Sequence, residues 1–109
     1  MENSNKILDK IKNEYDKYIN FLKSKNADFV IENAYEIVFK KQIVSEVEHR
    51  EFSSDEIRAL NKYNGILDEF YSEWLKTDGE DRECLNFAIN KRIGSIEEKF
   101  RKMKNRNAR

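Results

Sequence analysis

The sequence predicts an all-α protein, a compact bundle of four to five helices, and three observations predict it. Proline is absent and only three glycines occur in 109 residues, so few positions force the chain out of a helix. Charged residues make up 39% of the chain and are interleaved with 36 large apolar side chains, the mixture that amphipathic helices need. The apolar residues recur at three- and four-residue intervals, most densely between Phe29 and Val47, where eleven of nineteen residues are apolar.

Taken in order, the first helix opens at a Ser4 cap and carries Ile7, Leu8, Ile11, Tyr15, Tyr18, Ile19 and Leu22 on one stripe. Ser24, Lys25 and Asn26 break it, and Asn26 or Asp28 can cap the next helix. This second helix spans Ala27 to Arg50 and is the expected hub. Its row Ile31, Tyr35, Phe39, Ile43, Val47 is flanked by Val30, Ala34, Ile37, Val38 and Val44, so neighbours should cover it from more than one side. A kink is expected at Lys40, Lys41 and Gln42, where polar residues interrupt the apolar surface. Tyr35, Ile37 and Phe39 alternate as a short strand would, but the four-residue row runs on without a turn residue, which decides for helix.

Ser53 and Glu56 have capping-box spacing and start a short helix with Ile57 and Leu60 that ends near Tyr63, stopped by Asn64 and a left-handed Gly65. An aromatic helix comes next with Ile66, Leu67, Phe70, Tyr71, Trp74 and Leu75, and Thr77, Asp78 and Gly79 close it. Glu80, Asp81 and Glu83 then suit the positive end of the last helix, whose inner face is expected to be Leu85, Ala88, Ile89, Ile93, Ile96, Phe100 and Met103. Gly94 within it suggests a bend or close packing. Residues 100–109 read as a frayed basic tail on an otherwise single domain.

Composition bounds the function. The single cysteine, Cys84, has no internal disulfide partner, no secretory signal opens the chain, and no stretch approaches the roughly 20 apolar residues of a membrane span, so a soluble cytoplasmic protein is expected. The net charge is zero but unevenly laid out: residues 46–83 hold twelve acidic and five basic groups, residues 84–109 two acidic and eight basic. These blocks either pair with each other in the fold or offer charged surfaces to partners.

No motif supplies recognisable catalysis. Glu46 and His49 share a helix face, but a metal site in a bundle needs more ligands than one histidine and one carboxylate, so no metal or other cofactor is expected. Cys84 beside Asp81 lacks the positive surroundings of a nucleophile. Asp68, Glu69 and Glu73 form an expected exposed row on the aromatic helix and, with Tyr71, are the candidate partner-binding residues. Trp74 reads mainly as core. The tail residues Lys99, Arg101, Lys102, Lys104 and Arg106 are candidates for phosphate contact, although Phe100 is the one aromatic among them.

Two patches, Ala34–Tyr35–Glu36 leading to Ile43, Val44 and Glu46, and Ser54–Asp55–Glu56 with Leu60, Leu67, Phe70, Glu73, Trp74 and Leu75, resemble a small all-helical domain-of-unknown-function family of low-GC Gram-positive bacteria and their mobile elements. The resemblance covers roughly residues 7 to 92, and the basic tail departs from it. It implies a small accessory protein of a phage, plasmid or conjugative element and supplies no catalytic residues. The expected function is therefore a non-enzymatic protein-binding module, of the anti-CRISPR type that inhibits a host defence nuclease by occupying its nucleic-acid-binding surface. The alternative is a nucleic-acid-binding accessory protein using the basic tail.

Overall fold

The computed structural model describes residues 2–107, with side chains described for residues 6–103. Six helices pack together: α1 (Glu2–Lys23), α2 (Ala27–Glu32), α3 (Ala34–Glu48), α4 (Ser54–Lys62), α5 (Ile66–Leu75) and α6 (Arg82–Asn107). No strand occurs among the described residues. The all-α bundle is thus as the periodicity requires, and one break makes six helices where at most five were expected.

That break falls at Asn33 and not at Lys40–Gln42. The Asn33 amide donates back to the Phe29 carbonyl at 2.8 Å, and its backbone N–H is shared between the carbonyls of Phe29 and Val30. A side chain that bonds its own preceding turn competes with the regular ladder and bends the helix. Lys40, by contrast, lies inside α3 and is buried: its ammonium is 2.7 Å from Glu36 one turn earlier, 2.6 Å from Asp68 on α5, and 3.8 Å from the centre of the Tyr18 ring. Satisfied in this way, the cation stays in the helix with no need for a kink.

The core is shared among Ile7 and Ile11 of α1, Phe39, Ile43 and Val47 of α3, Leu60 of α4, Ile66, Leu67, Phe70 and Trp74 of α5, and Leu85, Ala88, Ile89, Ile93 and Ile96 of α6. α3 packs on α1 and α5, but α1 touches α2, α3, α4 and α5, so the centre belongs to both helices. The first two members of the hub row stay outside: Ile31 is 70% exposed and Tyr35 55%.

Helix ends follow local chemistry where the partner is near in sequence. Asn26 caps α2 by accepting from the Phe29 N–H at 2.9 Å, and Ser53 with Glu56 completes both bonds of the capping box. Gly65 sits at φ 80°, as its role at the α4–α5 corner requires. α1 is already helical at Glu2, so Ser4 lies within it and is no cap. At the other end α6 stays helical through Asn107; the expected fraying from residue 100 is not seen, and residues 108–109 of that expected tail lie outside the described residues. Met103, expected inside, is largely exposed because α4 ends at Lys62 and leaves the last turns of α6 uncovered. Leu75 is likewise exposed.

Candidate docking surface

The expected acidic row on α5 is largely spent within the bundle. Glu73 is only 5% exposed and is held by Lys91 at 3.1 Å and Lys76 at 3.6 Å. The Lys91 hydrogen bond, with the charges of Lys91 and Lys76 beside it, holds its carboxyl below the usual range despite burial. Glu69 is paired with Arg92 and accepts from the Tyr63 hydroxyl at 3.0 Å. Asp68 reaches solvent but binds Lys40. Tyr71 is half-buried with its ring edge-on to Phe39 at 6.2 Å, and burial followed by the negative charge of Glu36 pushes its hydroxyl up. Glu69, Tyr71 and Glu73 are thus drawn onto α3 or α6 while Asp68 stays exposed as expected, and the exposed row predicted from spacing is corrected at Glu69 and Glu73: i, i+1 and i+5 positions on a helix with neighbours on two sides cannot all reach water.

An open surface lies at the end of the bundle where α3 begins and the segment from Lys76 to Asp81 joins α5 to α6. Trp74 anchors it from beneath. The indole is 3% exposed, stacks on Phe39 with ring centres 4.4 Å apart, and donates from Nε1 to the Gly79 carbonyl at 3.1 Å. The Thr77 hydroxyl lies 2.7 Å from the Trp74 carbonyl and 3.1 Å from that of Gly79, and Asp81 accepts from the Cys84 N–H at 2.9 Å. Asp81 is thus the acceptor for the first turn of α6, so the acidic start expected there is a cap as well as a charge. A Cβ at Gly79 would stand 2.8 Å from the Cys84 sulfur, so the loop closes tightly over that thiol. The hydrogen bond with Asp81, followed by burial, raises the Cys84 thiol, opposite to the direction a nucleophile needs.

On this rigid support Tyr35 lies over Phe39 at 4.4 Å between ring centres, and its hydroxyl donates to Glu80. Ile31 and Val38 stand exposed one turn before and after it. Asp78, Glu80, Asp81 and Glu83 are exposed around the loop, and on its far flank Phe87 borders a shallow cleft of about 470 Å³ shared with Asp78 and Glu83. An exposed aromatic and aliphatic strip therefore meets this acidic loop at Glu80, while Lys76 and Arg82 are exposed at the two ends of the same segment. Reading the sequence did not join them, because Tyr35 and Glu80 are 45 residues apart; the visible signal was the apolar surplus on the hub.

The other candidates lie elsewhere. His49 is exposed with Nδ1 2.9 Å from the Ser45 carbonyl, while Glu46 is 2.8 Å from Arg82. Among the described residues no group of three or more His, Cys, Asp or Glu side chains is placed to hold a metal ion, and no helix is long and apolar enough to cross a membrane. Lys99, Arg101 and Lys102 are exposed on α6, Lys102 lying 3.5 Å from Glu98; the side chains of Lys104 and Arg106 lie outside those described. No protein-family model, curated protein or solved structure matches the chain.

Proposed function

We propose that the protein is a non-enzymatic binding module that docks on a basic surface of another protein through Tyr35 and the acidic loop. The carrying observation is the Tyr35 ring, 55% exposed yet held by Phe39 and by Glu80 of the acidic loop, with Ile31 and Val38 exposed one turn to either side. A fixed aromatic anchor with little entropy left to lose is the kind of side chain that dominates binding, and the acidic rim selects a positively charged partner. A nuclease channel built to hold nucleic acid is such a surface. Together with the resemblance to mobile-element accessory proteins, this supports inhibition of a host defence nuclease, of the CRISPR-effector type, as the role.

The test is DNA cleavage by a panel of CRISPR effectors and restriction nucleases with added protein. The wild type is expected to inhibit at least one. Tyr35→Ser should abolish inhibition, and the triple reversal of Asp78, Glu80 and Glu83 to lysine should slow association and remove its salt dependence. Inhibition that survives both variants, with folding verified by circular dichroism, overturns the docking surface; a wild type that inhibits none of the panel overturns the nuclease target.

A further inference from the structure

At the other end of the bundle, α4 and α6 leave a groove that the docking surface does not use. One wall is Arg58, Ala59 and Lys62 of α4 with Tyr63 just after its end, the other Ile96, Lys99, Phe100 and Met103 of α6, whose three- and four-residue spacing puts one strip of that helix along the groove. Ala59 and Ile96, both 2% exposed, form the floor, Tyr63 and Phe100 are half-buried, and Met103, 63% exposed, closes the outer side. Ala59 brings only a methyl group to a contact where a larger residue would fill the space. The resulting volume is about 390 Å³, inside the range of roughly 300 to 1,000 Å³ found for small-ligand clefts.

The rim is cationic. Arg58, Lys62 and Lys99 border the groove and, among the described residues, no carboxylate lines it; Asp55 and Glu97 face the neighbouring cleft that shares Arg58, Ala59 and Phe100. Arg58 has an exposed partner in Asp55 at 3.3 Å, whereas among the described residues neither Lys62 nor Lys99 has a carboxylate partner. Lys62 instead lies over the Phe100 ring, 5.3 Å from its centre.

We infer that this groove binds an amphipathic organic anion of the fatty-acid class, its aliphatic body along Ala59, Ile96 and Met103 and its carboxylate between Lys62 and Lys99. An apolar floor under ammonium groups that have no carboxylate partner among the described residues complements such a molecule in both halves, burying hydrocarbon while supplying charge-assisted hydrogen bonds to the head. A nucleobase is the poorer fit, since the Phe100 face it would stack on is covered by Lys62 and the floor is aliphatic. A protein partner is also disfavoured, because Ile96 to Met103 covers only about 10 Å of helix, too little for a stable interface on its own.

The experiment is a titration of the full chain with decanoate by calorimetry, repeated with decanol, and by displacement of the fluorescent probe anilinonaphthalene sulfonate. Saturable one-to-one binding of decanoate is expected, about tenfold weaker for decanol and for Lys62→Gln/Lys99→Gln. Met103→Asp, at an exposed position that does not threaten folding, should weaken it as much, and Phe87→Ser at the opposite end should leave it unchanged. Non-saturable binding, equal affinity for decanol, or undiminished binding by both groove variants overturns the inference. So does displacement of the probe by a single-stranded oligonucleotide but not by decanoate, which would make the groove a nucleic-acid site.

Discussion

At Gly94 the interior of α6 carries a residue that its surroundings do not require, since a Cβ built there meets no atom within 4 Å. Glycine in a helix interior costs about 0.5 to 1 kcal/mol relative to alanine through the extra freedom of the unfolded chain. Gly94→Ala is therefore expected to raise the thermal midpoint by a few degrees, measured by circular dichroism; a lowered midpoint would mean that the close packing suggested by the sequence exists after all. Gly65 and Gly79 are the opposite case, one held at φ 80° and the other pressed against the Cys84 sulfur. The left-handed turn at Gly65 was legible because Asn-Gly between two apolar runs leaves few other conformations. The close approach of Gly79 to Cys84, five residues on, and the open space beside Gly94 depend on how the loop and helix are packed, and were not. The same distinction explains Lys40, which looks in sequence like a polar interruption and in the fold is enclosed by Glu36, Asp68, Tyr18 and Tyr71.

Helix boundaries show how far local rules reach. Asn26 and the Ser53–Glu56 pair act on backbone three residues away, and both were legible. The start of α5 has no such residue of its own. Its Gly65 and Leu67 amides bond instead to the Glu14 carboxylate of α1, at 3.3 and 2.8 Å, an acceptor 51 and 53 residues earlier. This carboxylate also meets the positive end of the α5 dipole. Glu14→Ala should cost about 1 kcal/mol, within the range for loss of a helix cap, and chemical denaturation would measure it. An unchanged stability would show that water replaces the carboxylate at no loss. The break at Asn33 was open to a sequence reading, since an asparagine in an apolar run can bond its own preceding turn, but the unbroken four-residue row pointed the other way.

Across the molecule, ion pairs join α3 and α5 to α6: Glu69 with Arg92 and Glu73 with Lys91 link the acidic block to the basic one, and Glu46 with Arg82 closes a pair within the acidic block. Burial works against the charge of Glu46, but hydrogen bonds from Arg82 and Asn86 outweigh it and hold its carboxyl low, as Lys91 does for Glu73. A carboxyl whose folded value lies below its unfolded value of about 4.3 stabilises fully above that pH and loses the contribution as pH falls through the folded value. Stability should therefore be flat near neutral pH and fall below about pH 4. Glu73→Gln should lower the neutral-pH plateau by about 1 kcal/mol and make the acid decline shallower, in denaturant midpoints taken across pH. A parallel decline in wild type and variant would remove Glu73 from the account. The charge asymmetry was legible as a count, but its pairing depends on which helices meet. α6, 26 residues and about 39 Å long, runs from the acidic loop to the cationic groove, so the two surfaces stand at opposite ends of a body 52 Å in its longest dimension. The only tryptophan lies beneath the first of them, in a stack that runs through Phe39 to Tyr35. An occupant settling on Tyr35, as proposed, would change the surroundings of that one indole through the stack, and Trp74 fluorescence would then report the docking without a label and stay blind to the far groove.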